Sequence, residues 1–209
     1  MIKPGQDWGE PAPDDLPIPV DGDDRTLAEA VTDDPGGLFV LRSGAAEIGR
    51  AVGAGIGAGT MLTLDALRVD DTLAVNMVVV GALPPRRWTR TVVLDVVVDG
   101  KAWFSDPGTT VVIATGEFRN GYDVVPRGHP GDGRAEVQVY ALRPPERGQL
   151  APRMQTGAHL PHPRISQRSG RRIEIFSDRP LPLEIDGERR GRATHVTVEV
   201  QPGAYRLLV

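Results

Sequence analysis

Two stretches of the sequence decide the fold: LAVNMVVV at residues 73–80 and TVVLDVVV at residues 91–98. Both are rich in valine and are interrupted by polar residues after a few positions, which is typical of short β-strands. Asp99-Gly100 follows the second stretch, and glycine tolerates the positive φ that a tight two-residue turn demands. We therefore expect a hairpin that returns through a strand at residues 101–104.

Strand patterns of the same kind continue to the C-terminus of the sequence. Asp132-Gly133 and Asp186-Gly187 are further turn signals. Residues 144–155 form the one segment in this region that favours a short helix, and Pro152 limits its length. Strands are predicted at residues 60–67, 109–115, 135–141, 172–176, 183–185, 195–200 and 204–208. Many short strands separated by turns predict an antiparallel β-sandwich over residues 60–209.

The N-terminal residues have a different pattern. Residues 1–23 are rich in proline and acidic residues without periodicity, which predicts an extended arm. Helical spacing follows Asp23-Asp24, residues 38–41 favour a strand, and residues 43–52 favour a second helix. Glycine at every second position up to residue 59 predicts a flexible linker. We interpret residues 24–59 as a small α/β remnant with its linker, and the whole chain as mainly β.

Composition excludes several classes of function. The 209 residues hold 24 Lys and Arg against 28 Asp and Glu, and this net charge of −4 argues against binding to nucleic acid through phosphate neutralisation. The absence of cysteine excludes disulfides and thiolate chemistry, which is compatible with the cytoplasm. No signal sequence is expected at the N-terminus, and the apolar runs fall well short of the roughly 20 residues that span a bilayer.

Two motifs carry a resemblance to a known family. The first is TGEFRNGYDVVP at residues 115–126, followed by HPGDG at residues 129–133 and a strand. The second is DRPLPLEIDGE at residues 178–188, followed by a closing strand pair. In this order and spacing the motifs are similar to those of the diacylglycerol kinase and sphingosine kinase superfamily, specifically the bacterial soluble lipid kinases. The resemblance covers about residues 60–209.

The resemblance implies a β-sandwich domain beside a nucleotide-binding α/β domain in which a GGDGT loop cradles the phosphates. We identified nothing like GGDGT in the chain, and residues 38–50 resemble the family's later strand-loop-helix segment in shape only. The glutamate of the family's "DGE" is a candidate base, and it matches Glu188. The family's structural cation would use Asp132, with magnesium as the candidate metal, although Gly131 replaces the preceding aspartate. No other cofactor is expected.

The leading hypothesis is a catalytically defective relative that serves as a lipid-binding or regulatory module. Arg189, Arg190 and Arg192 would then face a lipid headgroup or an anionic membrane surface, and the protein would be cytoplasmic or peripheral to the membrane. One alternative is a lipid kinase that is active only when a partner kinase subunit supplies the nucleotide-binding half. Another is a structural interaction module or homo-oligomer, since exposed sheet edges must be covered.

Ordinary structural roles compete with these assignments. Asp186-Gly187-Glu188 on its own predicts a hairpin turn with a solvated acid. His159 and His162 could form a two-histidine metal pair, but loop histidines more often make structural hydrogen bonds.

Overall fold

The structure, a computed structural model, describes residues 9–54 and 59–209. Residues 1–8 of the predicted arm and residues 55–58 of the predicted glycine-rich linker lie outside the described residues.

The secondary structure is dominated by strands. The helices are α1 (Asp24–Asp33), α2 (Glu47–Ala51), α3 (Pro144–Arg147) and α4 (Leu150–Met154). The strands are β1 (Glu10–Pro11), β2 (Ile18–Val20), β3 (Leu38–Leu41), β4 (Thr60–Val69), β5 (Thr72–Ala74), β6 (Met77–Gly81), β7 (Val92–Val98), β8 (Lys101–Gly108), β9 (Thr110–Ala114), β10 (Phe118–Arg119), β11 (Tyr122–Asp123), β12 (Ala135–Tyr140), β13 (Ile165–Gly170), β14 (Arg172–Ile185) and β15 (Glu188–Leu208). Within residues 9–54 and 59–209, every helix is too short or too polar to cross a membrane.

The strands form a large, mainly antiparallel assembly, which confirms the predicted β-sandwich fold. One path through it runs β1-β4-β15-β14-β6-β9-β12-β13. The long strand β14 changes partner along its length: residues 173–177 pair with β7, and residues 183–185 pair with β6. β15 likewise pairs with β14 through its first half and with β4 through its second. The inward-facing valines and isoleucines of these strands form one continuous core.

Two of the three predicted Asp-Gly turns close hairpins, whereas Asp132-Gly133 lies in the loop before β12. Asp99 and Gly100 have φ of 50° and 73° between β7 and β8, and Asp186 and Gly187 have φ of 44° and 81° between β14 and β15. Positive φ at both central residues matches the right-handed twist of the strands that such a turn connects.

The N-terminal elements extend the same sheet. β3 pairs in parallel with residues 206–208 of β15, and β2 pairs in parallel with β3. Helix α1 begins because the Asp23 side chain caps its first turn, and it buries Leu27 and Val31. These two side chains share a hydrophobic cluster with Tyr205 and Leu207 of β15. Within the predicted arm, residues 10–11 and 18–20 are short strands.

Candidate functional site

A polar pocket of about 470 Å³ lies where the N-terminal elements meet the sandwich. Its wall is built from five places in the chain: the first turn of α1, the first turn of α2, the start of β6, the β10–β11 turn and the β14–β15 turn. These places bring acids and arginines together, so the pocket is charged rather than apolar.

Asp186 holds the β14–β15 turn against the start of β6. Its carboxylate accepts hydrogen bonds from the backbone amides of Val75 at 2.7 Å, Asn76 at 3.1 Å and Met77 at 2.8 Å. Burial, together with the nearby Asp24 carboxylate, raises the pKa of this carboxyl to about 7, although the three amides act in the opposite direction. The turn that carries Glu188 is therefore fixed to the floor of the pocket.

Asp24 joins three elements from the first turn of α1. Its carboxylate accepts from the backbone amide of Ile48 at 2.9 Å and from the side-chain amide of Asn76 at 2.6 Å. The residue is 6% exposed, and this burial raises its pKa to about 6. The buried Asp24 and the half-buried Asp186 thus form a pair of acids on either side of Asn76.

The orientation of the Asn76 amide is fixed by its partners. Its nitrogen donates to Asp24 at 2.6 Å and to the carbonyl oxygen of Phe118 at 2.9 Å, and both partners are acceptors. The side-chain oxygen is consequently the atom that is left over, and it is buried without a hydrogen-bond partner among the described residues. A buried acceptor of this kind can receive a hydrogen bond from a bound molecule.

The N-terminus of α1 is occupied by the chain's own carboxylate. Asp23 Oδ1 accepts from the backbone amide of Thr26 at 3.1 Å and from its hydroxyl at 3.2 Å. Free amides at a helix N-terminus attract anions such as phosphate. Here a carboxylate already takes up a donor that an incoming anion would need.

The predicted site residues of the β14–β15 turn line this pocket to different extents. Glu188 lines it and is ion-paired with Arg190 at 2.7 Å and Arg25 at 3.4 Å. Arg189 also lines the pocket and has no ion-pair partner among the described residues. Arg192 instead donates to the carbonyl oxygen of Pro180 at 2.5 Å.

A second, larger cavity adjoins the polar pocket. This groove of about 1030 Å³ runs between residues 81–89 and residues 182–192, and Arg119 and Arg189 line both cavities. Arg119 is ion-paired with Glu184 at 2.5 Å. The groove wall also carries Arg86, Arg87 and Arg192. Its apolar part is contributed by Leu83, Pro84, Tyr122, Ala151 and Leu183.

Asp132 lies apart from both cavities, in the turn before β12. Its carboxylate accepts from the backbone amide of Arg134 at 2.9 Å, so it closes its own turn. The buried Asp65 accepts from Gly133 and Gly203 nearby. Within the part of the chain that the structure describes, no group of three or more metal-ligating side chains comes together.

His159 has a structural role. It is 2% exposed, its Nε2 lies 3.1 Å from the carbonyl oxygen of Val124, and its ring stacks on Tyr140. Burial lowers its pKa to about 4, which keeps the ring neutral. The structural hydrogen bond that we preferred over a metal pair is confirmed.

Asp24 and Asn76 are the functional candidates that sequence reasoning missed. Residues 22–26 read Gly-Asp-Asp-Arg-Thr and share the first glycine, the aspartate and the threonine with GGDGT, while Asp23 and Arg25 stand where the other glycines would be. The expectation that nothing in the chain resembles GGDGT is therefore too strict, because this partial match is a usable signal. The signal for Asn76 is weaker and consists of a polar residue inside an apolar run.

The chain matches a known protein family in sequence and known structures in fold. The model of the family described as the YegS C-terminal NAD kinase beta sandwich-like domain matches residues 49–209. No curated protein matches the chain in sequence.

Solved structures share the fold at low sequence identity. Two structures of a putative diacylglycerol kinase from Bacillus anthracis are similar, at TM-scores of 0.74 and 0.75, with 14% and 13% identity over 91% of this chain and 76% and 77% of theirs. An NAD kinase from Archaeoglobus fulgidus in complex with ATP is similar at a TM-score of 0.55, with 13% identity over 92% of this chain and 77% of that one.

Proposed function

The chain belongs to the family of YegS C-terminal NAD kinase beta sandwich-like domains, and we propose that within it the protein is a catalytically defective, diacylglycerol-kinase-like module that binds lipid. The observation that carries the proposal is the pair of joined cavities. A polar pocket and a groove that combines apolar side chains with arginines meet at Arg119 and Arg189, so one continuous surface offers both charge and apolar contact. This arrangement fits an amphiphile with a polar headgroup and an acyl chain.

The first turn of α1 supports the loss of phosphoryl transfer. Transfer of a phosphoryl group depends on backbone donors and cations that neutralise the phosphates. Residues 22–26 carry Asp23 and Arg25 at two glycine positions of GGDGT, and the Asp23 carboxylate takes the Thr26 amide for itself. The Asp24 carboxyl beside it, with its pKa raised to about 6, still carries negative charge near neutral pH, and this charge repels an anion.

The ion pairs of Glu188 also argue against phosphoryl transfer. A catalytic base must be free to reach a proton of the substrate. Glu188 is paired with Arg25 and Arg190 at 3.4 and 2.7 Å, and these pairs hold the carboxylate in place. The complemented kinase, in which another chain presents nucleotide to Glu188, is therefore less well supported than a binding module.

Calorimetry with ATP and magnesium tests the catalytic half of the proposal. We expect binding no tighter than about 1 mM, because the α1 N-terminus is blocked by Asp23 and the pocket floor is acidic. Micromolar binding of ATP would contradict the proposal.

Titration with a short-chain diacylglycerol, kept monomeric in solution, tests the lipid half. We expect saturable binding that weakens about tenfold in Ala151→Trp, since the larger side chain fills the groove. Arg189→Ala should also weaken binding, whereas Arg179→Ala, which removes an exposed arginine outside both cavities, should leave it unchanged. Binding that is absent, or that is equal in all four proteins, would contradict lipid binding in the groove.

A further inference from the structure

The turn at residues 86–89 exposes the most accessible aromatic side chain among the described residues. Trp88 is 78% exposed, and its neighbours Arg86, Arg87 and Arg90 are exposed as well. The sequence contains no acidic residue between Gly81 and Leu94. The segment is therefore a local basic patch with an indole at its centre, on a chain whose net charge is −4.

The turn is held firmly, so the exposure of Trp88 is a fixed property of the fold. The amide of Arg86 donates to the Thr89 hydroxyl at 2.7 Å, and the amide of Thr89 donates to the Arg86 carbonyl at 2.9 Å. Arg147, which is 4% exposed, anchors the base of the turn by donating to the Thr89 carbonyl at 2.6 Å and the Thr91 hydroxyl at 2.9 Å. The buried Arg147 side chain thus holds the backbone next to the exposed Trp88.

We propose that this segment, residues 84–90, docks the protein on an anionic lipid bilayer, with Trp88 seated in the membrane interface and Arg86, Arg87 and Arg90 against the headgroups. Tryptophan favours the interface because its ring is amphipathic. Each arginine near an anionic surface adds to the attraction, which falls off within a Debye length.

The surroundings of the segment favour a bilayer over another partner. The same residues form the rim of the groove, whose other wall carries Arg189 and Arg192, and the one acid lining the groove, Glu184, is already paired with Arg119. The positive charge of this face therefore stays uncompensated while the rest of the acidic protein is repelled from the surface, which orients the molecule. This inference rests on the proposed lipid binding, because docking at the rim would open the groove towards the membrane.

Co-sedimentation with vesicles tests the proposal in the full chain. Vesicles of phosphatidylcholine and phosphatidylglycerol in equal parts contain no diacylglycerol, so they report docking without filling the groove. We expect binding at low salt that falls as salt rises, and much weaker binding to phosphatidylcholine alone. Trp88→Ala should weaken binding about tenfold, and Arg86→Ser with Arg87→Ser should weaken it by at least that factor.

Matched variants separate docking from folding and from the groove. Phe176→Ala removes an aromatic side chain that is 40% exposed elsewhere, and Arg179→Ala removes an exposed arginine elsewhere; both should bind vesicles like the parent. A protein with Trp88 as its only tryptophan, made with Trp8→Phe and Trp103→Phe, should shift its emission to the blue and be quenched by brominated lipid. Circular dichroism confirms the fold of each variant.

The possible results distinguish docking at residues 84–90 from lipid binding in the groove. Loss of binding and of the emission shift with Trp88 supports docking even if short-chain diacylglycerol does not bind, which would instead count against the groove. Parent protein that stays in solution, or binding that is equal in Trp88→Ala, overturns the docking proposal. Short-chain lipid binding without vesicle binding overturns docking alone.

Discussion

The Asp186 carboxyl accepts three backbone hydrogen bonds, yet burial raises its pKa from 3.8 to about 7. Because the folded chain then binds more protons than the unfolded chain between these two values, the free energy of unfolding falls as pH rises through this range. Asp24, with its pKa raised to about 6, acts in the same sense. The free energy of unfolding, measured in urea, should therefore fall less for Asp186→Asn than for the parent between about pH 5 and 8. The difference between the two falls should be on the order of 2 kcal/mol.

The control for this prediction is Asp70→Asn. Asp70 is an exposed aspartate that also has a positive φ, of 52°, so the change in backbone demands is matched while the burial and the three hydrogen bonds of Asp186 are missing. Its pH dependence should follow the parent. His159, with its pKa lowered to about 4, has the opposite effect below about pH 6.5 in every variant, so the difference between proteins is the informative quantity. An Asp186→Asn slope equal to that of the parent would contradict the assignment.

Single residues were predictable where a local motif marked them. Asp186-Gly187-Glu188 is visible in the sequence as a turn and as part of a family motif. The contacts of Asp24 join positions that are 24 and 52 residues apart, and no local pattern reports such pairs. Asn76 lies inside an apolar run, so its hydrogen bonds to Asp24 and Phe118 become visible only once the strands are placed together.

At the level of elements, period-two alternation located the strands but not their continuity. The alternation predicts separate strands at residues 172–176 and 183–185, and Pro180 and Pro182 lie between them. In the structure both belong to β14, and its register against β15 shifts between Phe176 and Leu181 and again between Pro182 and Glu184. Prolines are tolerated at such irregularities because the regular ladder of hydrogen bonds is already broken there.

The β14–β15 turn gives a test of hairpin chemistry. Gly187 has φ of 81°, and a Cβ added there would meet nothing within 4 Å. Gly187→Ala should thus destabilise the protein by about 1 kcal/mol through backbone strain alone. Gly44→Ala is the matched control, since Gly44 is equally open but has no left-handed φ, and it should be neutral or slightly stabilising. Equal midpoints in urea for both variants would show that the turn relaxes at no cost.

On the scale of the whole molecule, the sequence predicted the sandwich and an α/β part before residue 60. The abrupt change from helical spacing to period two at Thr60 carries that information. How closely the parts are joined could not be predicted, because the parallel pairing of β3 with β15 connects residues 38–40 with 206–208. The division at residue 60 remains a prediction, and the packing across it shows how to test it.

A fragment of residues 60–209 provides that test. It would lose Leu27, Phe39 and Ile48 from the cluster that covers Tyr205 and Leu207, and those two fully buried side chains would gain contact with water. It would also lose the Asp24 partner of Asn76 and leave residues 206–208 of β15 without their β3 neighbour, and such an exposed edge favours association between copies. We therefore expect the fragment to unfold at a lower temperature than the full chain, or to self-associate, when the two are compared by calorimetry and light scattering. A monomeric fragment with the melting temperature of the full chain would instead show that the sandwich is an independent domain and that the N-terminal elements rest on it without stabilising it.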